Sequence, residues 1–173
     1  MTLLEQFKAV TTFVFDVDGV LTDSTVLLLD NGVQARRMSI KDGLALQLAL
    51  RNGYRVAIIS GAYSAPVVDR LQYLGLTDIF TAIKDKRTFL ERYAGDQKFS
   101  LAHTVFMGDD LPDLPVLSIV GLPCCPADAV PEVKAVSQYI SPVKGGDGCV
   151  RDVIEKVLRQ NGHWHYEAGL TSK

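Results

Sequence analysis

The sequence FVFDVDGVLT, residues 13–22, begins with an apolar run, which is followed by two aspartates on either side of a valine. The apolar run predicts a buried strand over residues 12–16. Asp16 ends this strand, and a carboxylate there is costly unless another group offsets its charge. Gly19 permits a tight turn directly afterwards. We therefore expect a functional site where this first strand ends, built around Asp16 and Asp18.

The same pattern, a short apolar run followed by a helical segment, repeats along the chain. It predicts strands at residues 12–16, 55–60, 79–83, 104–107 and 122–125, and helices at residues 42–51, 66–74, 86–93, 130–136 and 150–159, with a short helix from residue 113. Strands that alternate with helices connect by right-handed crossovers into a mostly parallel sheet. We expect an α/β fold, Rossmann-like, with a mostly parallel sheet and helices on both faces, in a single domain spanning residues 1–173.

The composition is that of a globular protein, because 47% of the 173 residues are hydrophobic and 22% are charged. Eighteen basic and twenty acidic residues give a net charge of −2, so no basic excess indicates a nucleic-acid partner. No apolar stretch reaches the roughly 18 residues that a membrane span needs. The three cysteines form neither a disulfide framework nor a C-x-x-C metal motif, which favours the reducing cytoplasm.

One segment, residues 24–38, departs from the alternation. Two extended runs flank Asn31-Gly32, a pair that tolerates positive φ and is typical of a hairpin turn. The resulting small hairpin would project from the sheet edge that carries Asp16. Its apolar residues 26–29 are too few to bury themselves. We expect them to pack either on another subunit or on the same domain.

A second acidic cluster, Gly108-Asp109-Asp110-Leu111-Pro112-Asp113, follows another predicted strand. In parallel sheets the functional site lies at the carboxyl ends of the strands. Two acidic strand ends at one sheet edge would repel each other without a cation between them. Carboxylate oxygens and open water positions suit Mg²⁺. Each cluster alone could also be a turn or a helix cap rich in Asp and Gly.

The order of these motifs resembles that of the haloacid dehalogenase superfamily of phosphohydrolases. The chain carries D-x-D-G-x-L-T at residues 16–22, a strand ending in Ser60-Gly61, a lysine at Lys86, and G-D-D-x-x-D at residues 108–113. The resemblance implies that Asp16 attacks phosphorus to form an aspartyl-phosphate. It implies that Asp18 acts as general acid and then as general base. Mg²⁺ would be held by the carboxylates of Asp16 and Asp109 and by the backbone carbonyl of Asp18.

The same resemblance assigns the groups that hold the phosphate. Ser60 and the backbone N–H groups of Val17 and Gly61 would bind it, and Lys86 would neutralise it. Lys84 competes with Lys86 for this role, although Lys86 matches the family pattern better. Two further residues would orient the metal waters or the lysine from behind, namely Asp110 and Asp113.

Finer features resemble the 3-deoxy-D-manno-octulosonate 8-phosphate phosphatase family. They are the absence of a cap-sized insertion, the hairpin, Lys41-Asp42-Gly43, the lysine in residues 84–86, and the glycine-rich residues 145–152. The resemblance implies a homotetramer acting on a phosphorylated sugar acid in lipopolysaccharide biosynthesis. It also implies that the C-terminal loop and tail, residues 142–173, help cover a site. We expect residues 145–148 to form a mobile loop, with Arg151 contacting the substrate.

One position departs from that family. Its members usually carry arginine after the Ser/Thr-Gly pair, and phosphatases of nine-carbon keto sugar acids carry glutamate, whereas this chain has Ala62. Arg70 is then a candidate partner for the substrate carboxylate. A nine-carbon keto sugar acid phosphate therefore stays open as the substrate. A receiver-like module and a non-catalytic assembly module are alternatives of a different class.

Overall fold

A six-stranded parallel sheet forms the centre of the structure, a computed structural model that describes residues 1–165 and 169–171. The strands of the sheet are β1 (Thr12–Phe15), β4 (Arg55–Ile59), β5 (Asp78–Phe80), β6 (Thr104–Met107), β7 (Leu122–Cys125) and β8 (Tyr139–Ile140). Their spatial order is β5-β4-β1-β6-β7-β8, and every pairing is parallel. The predicted α/β class is confirmed. The strand that ends at Asp16 lies in the interior of the sheet, so its end is flanked on both sides.

Helices cover both faces of the sheet. They are α1 (Leu3–Ala9), α2 (Ile40–Arg51), α3 (Ala65–Tyr73), α4 (Lys86–Gln97), α5 (Leu114–Leu117), α6 (Pro131–Val136) and α7 (Cys149–Gln160). Side chains alternate across a strand, so Phe13 and Phe15 face one core, with α1, α2, α3 and α7, while Val14 faces the other, with α4, α5 and α6. None of the helices in the described part of the chain has the length and apolar character that crossing a membrane requires.

Two short elements were not predicted from the sequence. Helix α1 begins with a capping box in which Thr2 and Glu5 each satisfy the other's backbone N–H. Strand β8 has only two residues, too few to show an alternating pattern. Another difference concerns Asp42, which we expected to begin its own helix. Helix α2 instead begins after Ser39, and Asp42 accepts a hydrogen bond from the backbone N–H of Arg151 in α7.

The predicted hairpin is present and is held by very few bonds. Strands β2 (Leu27–Leu28) and β3 (Gln34–Ala35) pair antiparallel in a separate two-stranded sheet. Gly32 has a φ of +78°, as the turn requires. Leu27 and Leu28 are 64% and 70% exposed, so within this single chain the apolar run lies open to solvent. The structure therefore does not follow the alternative in which the run packs on its own domain.

The glycine-rich segment at residues 145–148 differs from the mobile loop that we expected. It packs against the back of the Asp16 loop, by which we mean residues 16–22. The N–H of Gly146 donates to Val20 O at 3.0 Å, and the Cys149 thiol donates to the same oxygen at 3.2 Å. A Cβ on Gly145 would lie 2.0 Å from Gly19 O, so only glycine permits this approach. The segment supports the loop from behind. The predicted tail also includes residues 166–168 and 172–173, which lie outside the described residues.

Candidate active site

The predicted site residues from three strand ends meet at one edge of the sheet. Asp16 follows β1, Ser60 follows β4, and Asp109 follows β6. They surround an open pocket of about 350 Å³. The other predicted residues along its lining are Asp18, Gly61, Lys86, Asp110 and Asp113, together with Ala62 and Lys84. The carboxyl ends of parallel strands thus bring together residues that lie nearly 100 positions apart.

Lys86 joins two carboxylates at the floor of this pocket. Its Nζ lies 2.9 Å from Asp16 Oδ1 and 2.7 Å from Asp113 Oδ1. All three side chains are nearly buried, with 5%, 11% and 1% exposed for Lys86, Asp16 and Asp113. Breaking such a buried pair would leave a charge without compensation, so the lysine is held in place. Burial opposes the charge on Lys86, but the two carboxylates outweigh it and raise the pKa of the ammonium group.

Asp113 is fixed by the turn that follows β6. Its second oxygen, Oδ2, accepts the backbone N–H groups of Asp109 at 3.0 Å and Asp110 at 3.4 Å. Asp110 in turn accepts the N–H of Leu111 at 2.7 Å. This arrangement satisfies all the polar groups of a buried carboxylate. It places Asp113 behind Lys86, the position that we expected for a residue orienting the lysine.

Asp109 approaches the Asp16 loop where that loop has no side chain. A Cβ on Gly19 would lie 1.9 Å from Asp109 Oδ2, and Gly19 has a φ of +87°. Ser24 donates its hydroxyl to the same carboxylate oxygen at 3.1 Å. Ser24 itself was not predicted, since a single serine in a loop carries no pattern that singles it out.

The acidic side chains are close enough to destabilise each other's charges. Asp16, Asp109 and Asp113 each offer a carboxylate oxygen within 4.8 Å of the other two. Burial and the charge of Asp113 raise the pKa of Asp16 to about 6, although Lys86 opposes this. Burial and the charges of Asp16 and Asp113 raise the pKa of Asp109 to about 7. Three clustered hard oxygen ligands with raised pKa values fit a divalent cation such as Mg²⁺.

Asp18 lines the same pocket but is not part of this three-carboxylate cluster, and it pairs with the hairpin segment. Arg36, one residue after β3, donates its Nε to Asp18 Oδ1 at 2.7 Å. The side chain of Arg36 is only 9% exposed, whereas that of Asp18 is 40% exposed. Arg36 lies in no motif that singles it out from the sequence. The pair Arg36-Arg37, directly after a short strand, gave no indication of which arginine would turn inward.

The predicted phosphate-binding groups line the pocket in part. Ser60 is buried, and its hydroxyl accepts the N–H of Ala62 at 3.3 Å. Gly61 lies on the pocket lining. The N–H of Val17 donates to Asp16 Oδ1 at 2.7 Å, so a phosphate would have to compete with that carboxylate for it.

Two predicted substrate contacts lie elsewhere. Arg70 lines a neighbouring cleft of about 310 Å³, together with Arg36 and Ala35 of the hairpin. Arg151 is outside the pocket lining in its own chain, and its contact with the substrate stays a prediction. Its backbone N–H bonds Asp42, and its guanidinium group contacts Glu155 and the ring of Trp164. These contacts hold Arg151 along α7 and against α2.

Comparisons with known proteins agree with this geometry. A haloacid dehalogenase-like hydrolase family matches residues 72–153. The 3-deoxy-D-manno-octulosonate 8-phosphate phosphatase of Escherichia coli K12 is 32% identical over 149 residues, which cover 86% of this chain and 79% of that protein.

Solved structures of such phosphatases superimpose closely. The crystal structure from Yersinia pestis has a TM-score of 0.90 at 27% identity, covering 93% of this chain and 87% of that one. The enzyme from Moraxella catarrhalis, in complex with magnesium, phosphate and KDO, has a TM-score of 0.88 at 34% identity, covering 91% and 90%. The family model and the similar proteins are all hydrolases or phosphatases. They exclude the receiver-like module and the non-catalytic assembly module. The chain belongs to the haloacid dehalogenase-like hydrolases and is a phosphatase.

Proposed function

We propose that this phosphatase hydrolyses the phosphate monoester of a sugar acid, with 3-deoxy-D-manno-octulosonate 8-phosphate as the best supported substrate. The observation that carries the chemistry is the buried cluster of Asp16, Lys86 and Asp113 beside Asp109. The substrate rests on similarity over most of the chain to phosphatases of that name. The Moraxella enzyme, whose structure holds the sugar acid itself, supports the same class.

Asp16 is the proposed nucleophile. The bonds that it accepts from Val17 N–H and Lys86 go to Oδ1, and Oδ2 accepts neither of them. Lys86 opposes the rise in the pKa of Asp16 and holds the carboxylate in place. Attack on phosphorus forms the Asp16–O–P bond and breaks the bond to the leaving alcohol oxygen. Asp18 protonates that oxygen and then takes a proton from the water that hydrolyses the aspartyl-phosphate.

Mg²⁺ is the proposed cofactor. Asp16 and Asp109 would hold it with their carboxylates, and Asp18 would hold it with its backbone carbonyl. Asp110 and Asp113 would orient the metal-bound waters or Lys86. The ion supplies positive charge for the phosphoryl oxygens and offsets the repulsion among the carboxylates. Ser60 and the N–H of Gly61 would hold the phosphate on the opposite side of the pocket from Asp109. Arg70, which lines the neighbouring cleft, is one candidate partner of the substrate carboxylate, and Lys84 on the pocket lining is the other.

The proposed assembly is a homotetramer. The exposed leucines of the hairpin support it, because an isolated two-stranded element with an open apolar run needs a partner surface. Its proposed setting is the cytoplasm. The described cysteines, Cys124, Cys125 and Cys149, are buried free thiols, as a reducing compartment favours.

The test is phosphate release from a panel of eight- and nine-carbon keto sugar acid phosphates and neutral sugar phosphates, with Mg²⁺ and after treatment with EDTA. We expect the highest kcat/KM for 3-deoxy-D-manno-octulosonate 8-phosphate and loss of activity in EDTA that added Mg²⁺ reverses. A higher kcat/KM for a nine-carbon substrate would favour the second candidate, for which Ala62 leaves room. Full activity in metal-free buffer would contradict the metal site.

A further inference from the structure

The segment before α4 presents two lysines to the same pocket at different depths. Lys84 and Lys86 both line it, while Asp85 between them turns away and accepts the N–H of Thr88 at the start of the helix. The side chain of Lys86 is 5% exposed and reaches the floor beside Asp16. Lys84 is exposed and stands at the rim. The two cations therefore meet different parts of any substrate whose phosphorus reaches Asp16.

Lys86 already forms ion pairs with carboxylates of the protein, whereas Lys84 does not. Lys86 joins Asp16 to Asp113. Lys84 forms no ion pair with any carboxylate of the described residues, although five acidic side chains line the same pocket. A solvated lysine beside an anion-binding pocket can bind a second anionic group without first losing a protein partner.

The backbone beneath Lys84 is fixed in relation to the phosphate side of the pocket. The N–H of Ile83 donates to Ser60 O at 3.0 Å, and the N–H of Ala82 donates to Ala62 O at 3.4 Å. Ala82 has a φ of +57°, a conformation that a residue with a side chain rarely adopts. Such a conformation persists where surrounding bonds impose it. The backbone that leads to Lys84 is thus bonded to residues 60 and 62, and Ala62, which shares the pocket lining with Lys84, carries only a methyl group.

The sheet order places the rim charges on opposite sides of Asp16. Lys84 follows β5, on the side of β4, whereas Asp109 and Asp110 follow β6, on the other side of β1. Asp110 is exposed at that second rim. An anionic group extending outward from the phosphate would be repelled by Asp110 and attracted by Lys84.

We infer that Lys84, rather than Arg70 in the neighbouring cleft, is the specificity-determining residue that binds the carboxylate of the substrate at the rim, while Lys86 serves the phosphate at the floor. This inference rests on the proposed function, since it presumes that Asp16 receives the phosphorus. It limits the preferred substrates to phosphate esters with a second anionic group, on the part of the substrate that extends from the pocket floor towards the rim.

The experiment compares K84Q with wild type on 3-deoxy-D-manno-octulosonate 8-phosphate and on D-fructose 6-phosphate, which lacks a carboxylate. We expect the KM for the sugar acid phosphate to rise about tenfold relative to the KM for the neutral ester, the loss of one charge-assisted hydrogen bond. Inhibition by the free sugar acid, which has no phosphate, should weaken by a similar factor. K8Q in α1 is the matched control, because Lys8 is exposed and outside the pocket lining, and its KM ratio should equal that of wild type.

Two results would contradict the assignment of Lys84 and leave the proposed function intact. One is an equal rise in KM for both esters, which would assign Lys84 to the phosphate. The other is a KM ratio in K84Q within about twofold of wild type, smaller than one charge-assisted bond would give. Failure of the wild-type enzyme to release phosphate from any ester of the panel would instead contradict the proposed function, and the assignment of Lys84 with it.

Discussion

The floor of the pocket and the projecting hairpin differ in how far one chain completes them. At the floor, Lys86, Asp16 and Asp113 are buried and satisfy one another. In the hairpin, Leu27 and Leu28 are more than 60% exposed, and the two strands pair over only two residues each. The buried ion-pair cluster at the floor is therefore complete within a single chain, whereas the hairpin leaves an apolar surface open.

Arg36 is the contact that links these two regions. It leaves the hairpin strand and reaches Asp18, the proposed acid and base. A change in the hairpin can thus affect the proton-transfer residue without touching the buried floor. Substitutions at the floor, in the segment that supports the Asp16 loop and in the hairpin should therefore have different effects. On a single chain, those effects should decrease in that order.

The largest effect should come from Asp16→Asn at the floor. The amide cannot act as a nucleophile, so kcat should fall by more than about a thousandfold, a barrier increase above roughly 4 kcal/mol. The measurement is phosphate release at saturating substrate, with Asp96→Asn on the exposed side of α4 as the matched control. Retention of more than about a thousandth of the wild-type kcat would remove Asp16 from the nucleophile role.

A substitution in the glycine-rich segment behind the Asp16 loop should have the next largest effect, and it should lower stability rather than kcat. Gly145→Ala would place a Cβ 2.0 Å from Gly19 O, a backbone atom that cannot move alone. We expect the free energy of unfolding to fall by about 3 kcal/mol. Gly95→Ala in α4 is the control, because nothing lies within 4 Å of its added Cβ, and it should be neutral or slightly stabilising. Equal denaturant midpoints for the two variants would show that the segment does not press on the loop.

Asp42, which accepts a hydrogen bond from the first turn of α7, should make the free energy of unfolding depend on pH. Burial raises its pKa from 3.8 to about 7, so the folded chain binds this proton more tightly than the unfolded chain. Its contribution to stability is therefore present below about pH 4 and is lost as the pH rises to about 7, on the order of 3 kcal/mol. Asp42→Asn does not titrate, so the wild-type free energy of unfolding minus that of the variant should decline across this window. A constant difference from pH 4 to pH 8 would contradict the raised pKa.

The smallest effect on a single chain should come from charged substitutions in the hairpin. Leu27→Glu with Leu28→Glu should dissociate the proposed tetramer while leaving the circular dichroism spectrum of the folded chain unchanged, because both side chains are exposed within a single chain. Light scattering at micromolar concentration measures the mass. Asp30→Asn in the same hairpin is a control that should stay assembled. A wild-type monomer, or a double variant that remains a tetramer, would exclude the hairpin as the assembly surface.

Much of the fold and of the floor could be predicted because both depend on local patterns. Apolar runs mark the buried strands, and the carboxyl ends of parallel strands must share an edge, so Asp16, Ser60 and Asp109 meet as expected. The roles of these residues stay proposals. The contacts of Arg36 and Ser24 depend on which way a short loop turns, and no spacing in the sequence records that direction.

The glycine-rich segment shows a limit of a different kind. Glycines favour flexible loops, but they also permit close approach of two backbones. Residues 145–148 show the second behaviour, because the back of the Asp16 loop offers carbonyl oxygens with no side chains in front of them. The sequence cannot distinguish the two uses, since the deciding neighbour lies more than 120 positions away.

The most direct test of the central claim is to trap the phosphoryl group on Asp16. In Asp18→Asn with p-nitrophenyl phosphate, the leaving group needs no proton, but hydrolysis of the aspartyl-phosphate lacks its base. We predict a burst of nitrophenolate approaching one per chain, and mass spectrometry after acid quench should place the phosphoryl group on the peptide that contains Asp16. Steady release without a burst, or a phosphoryl group on another residue, would contradict the account.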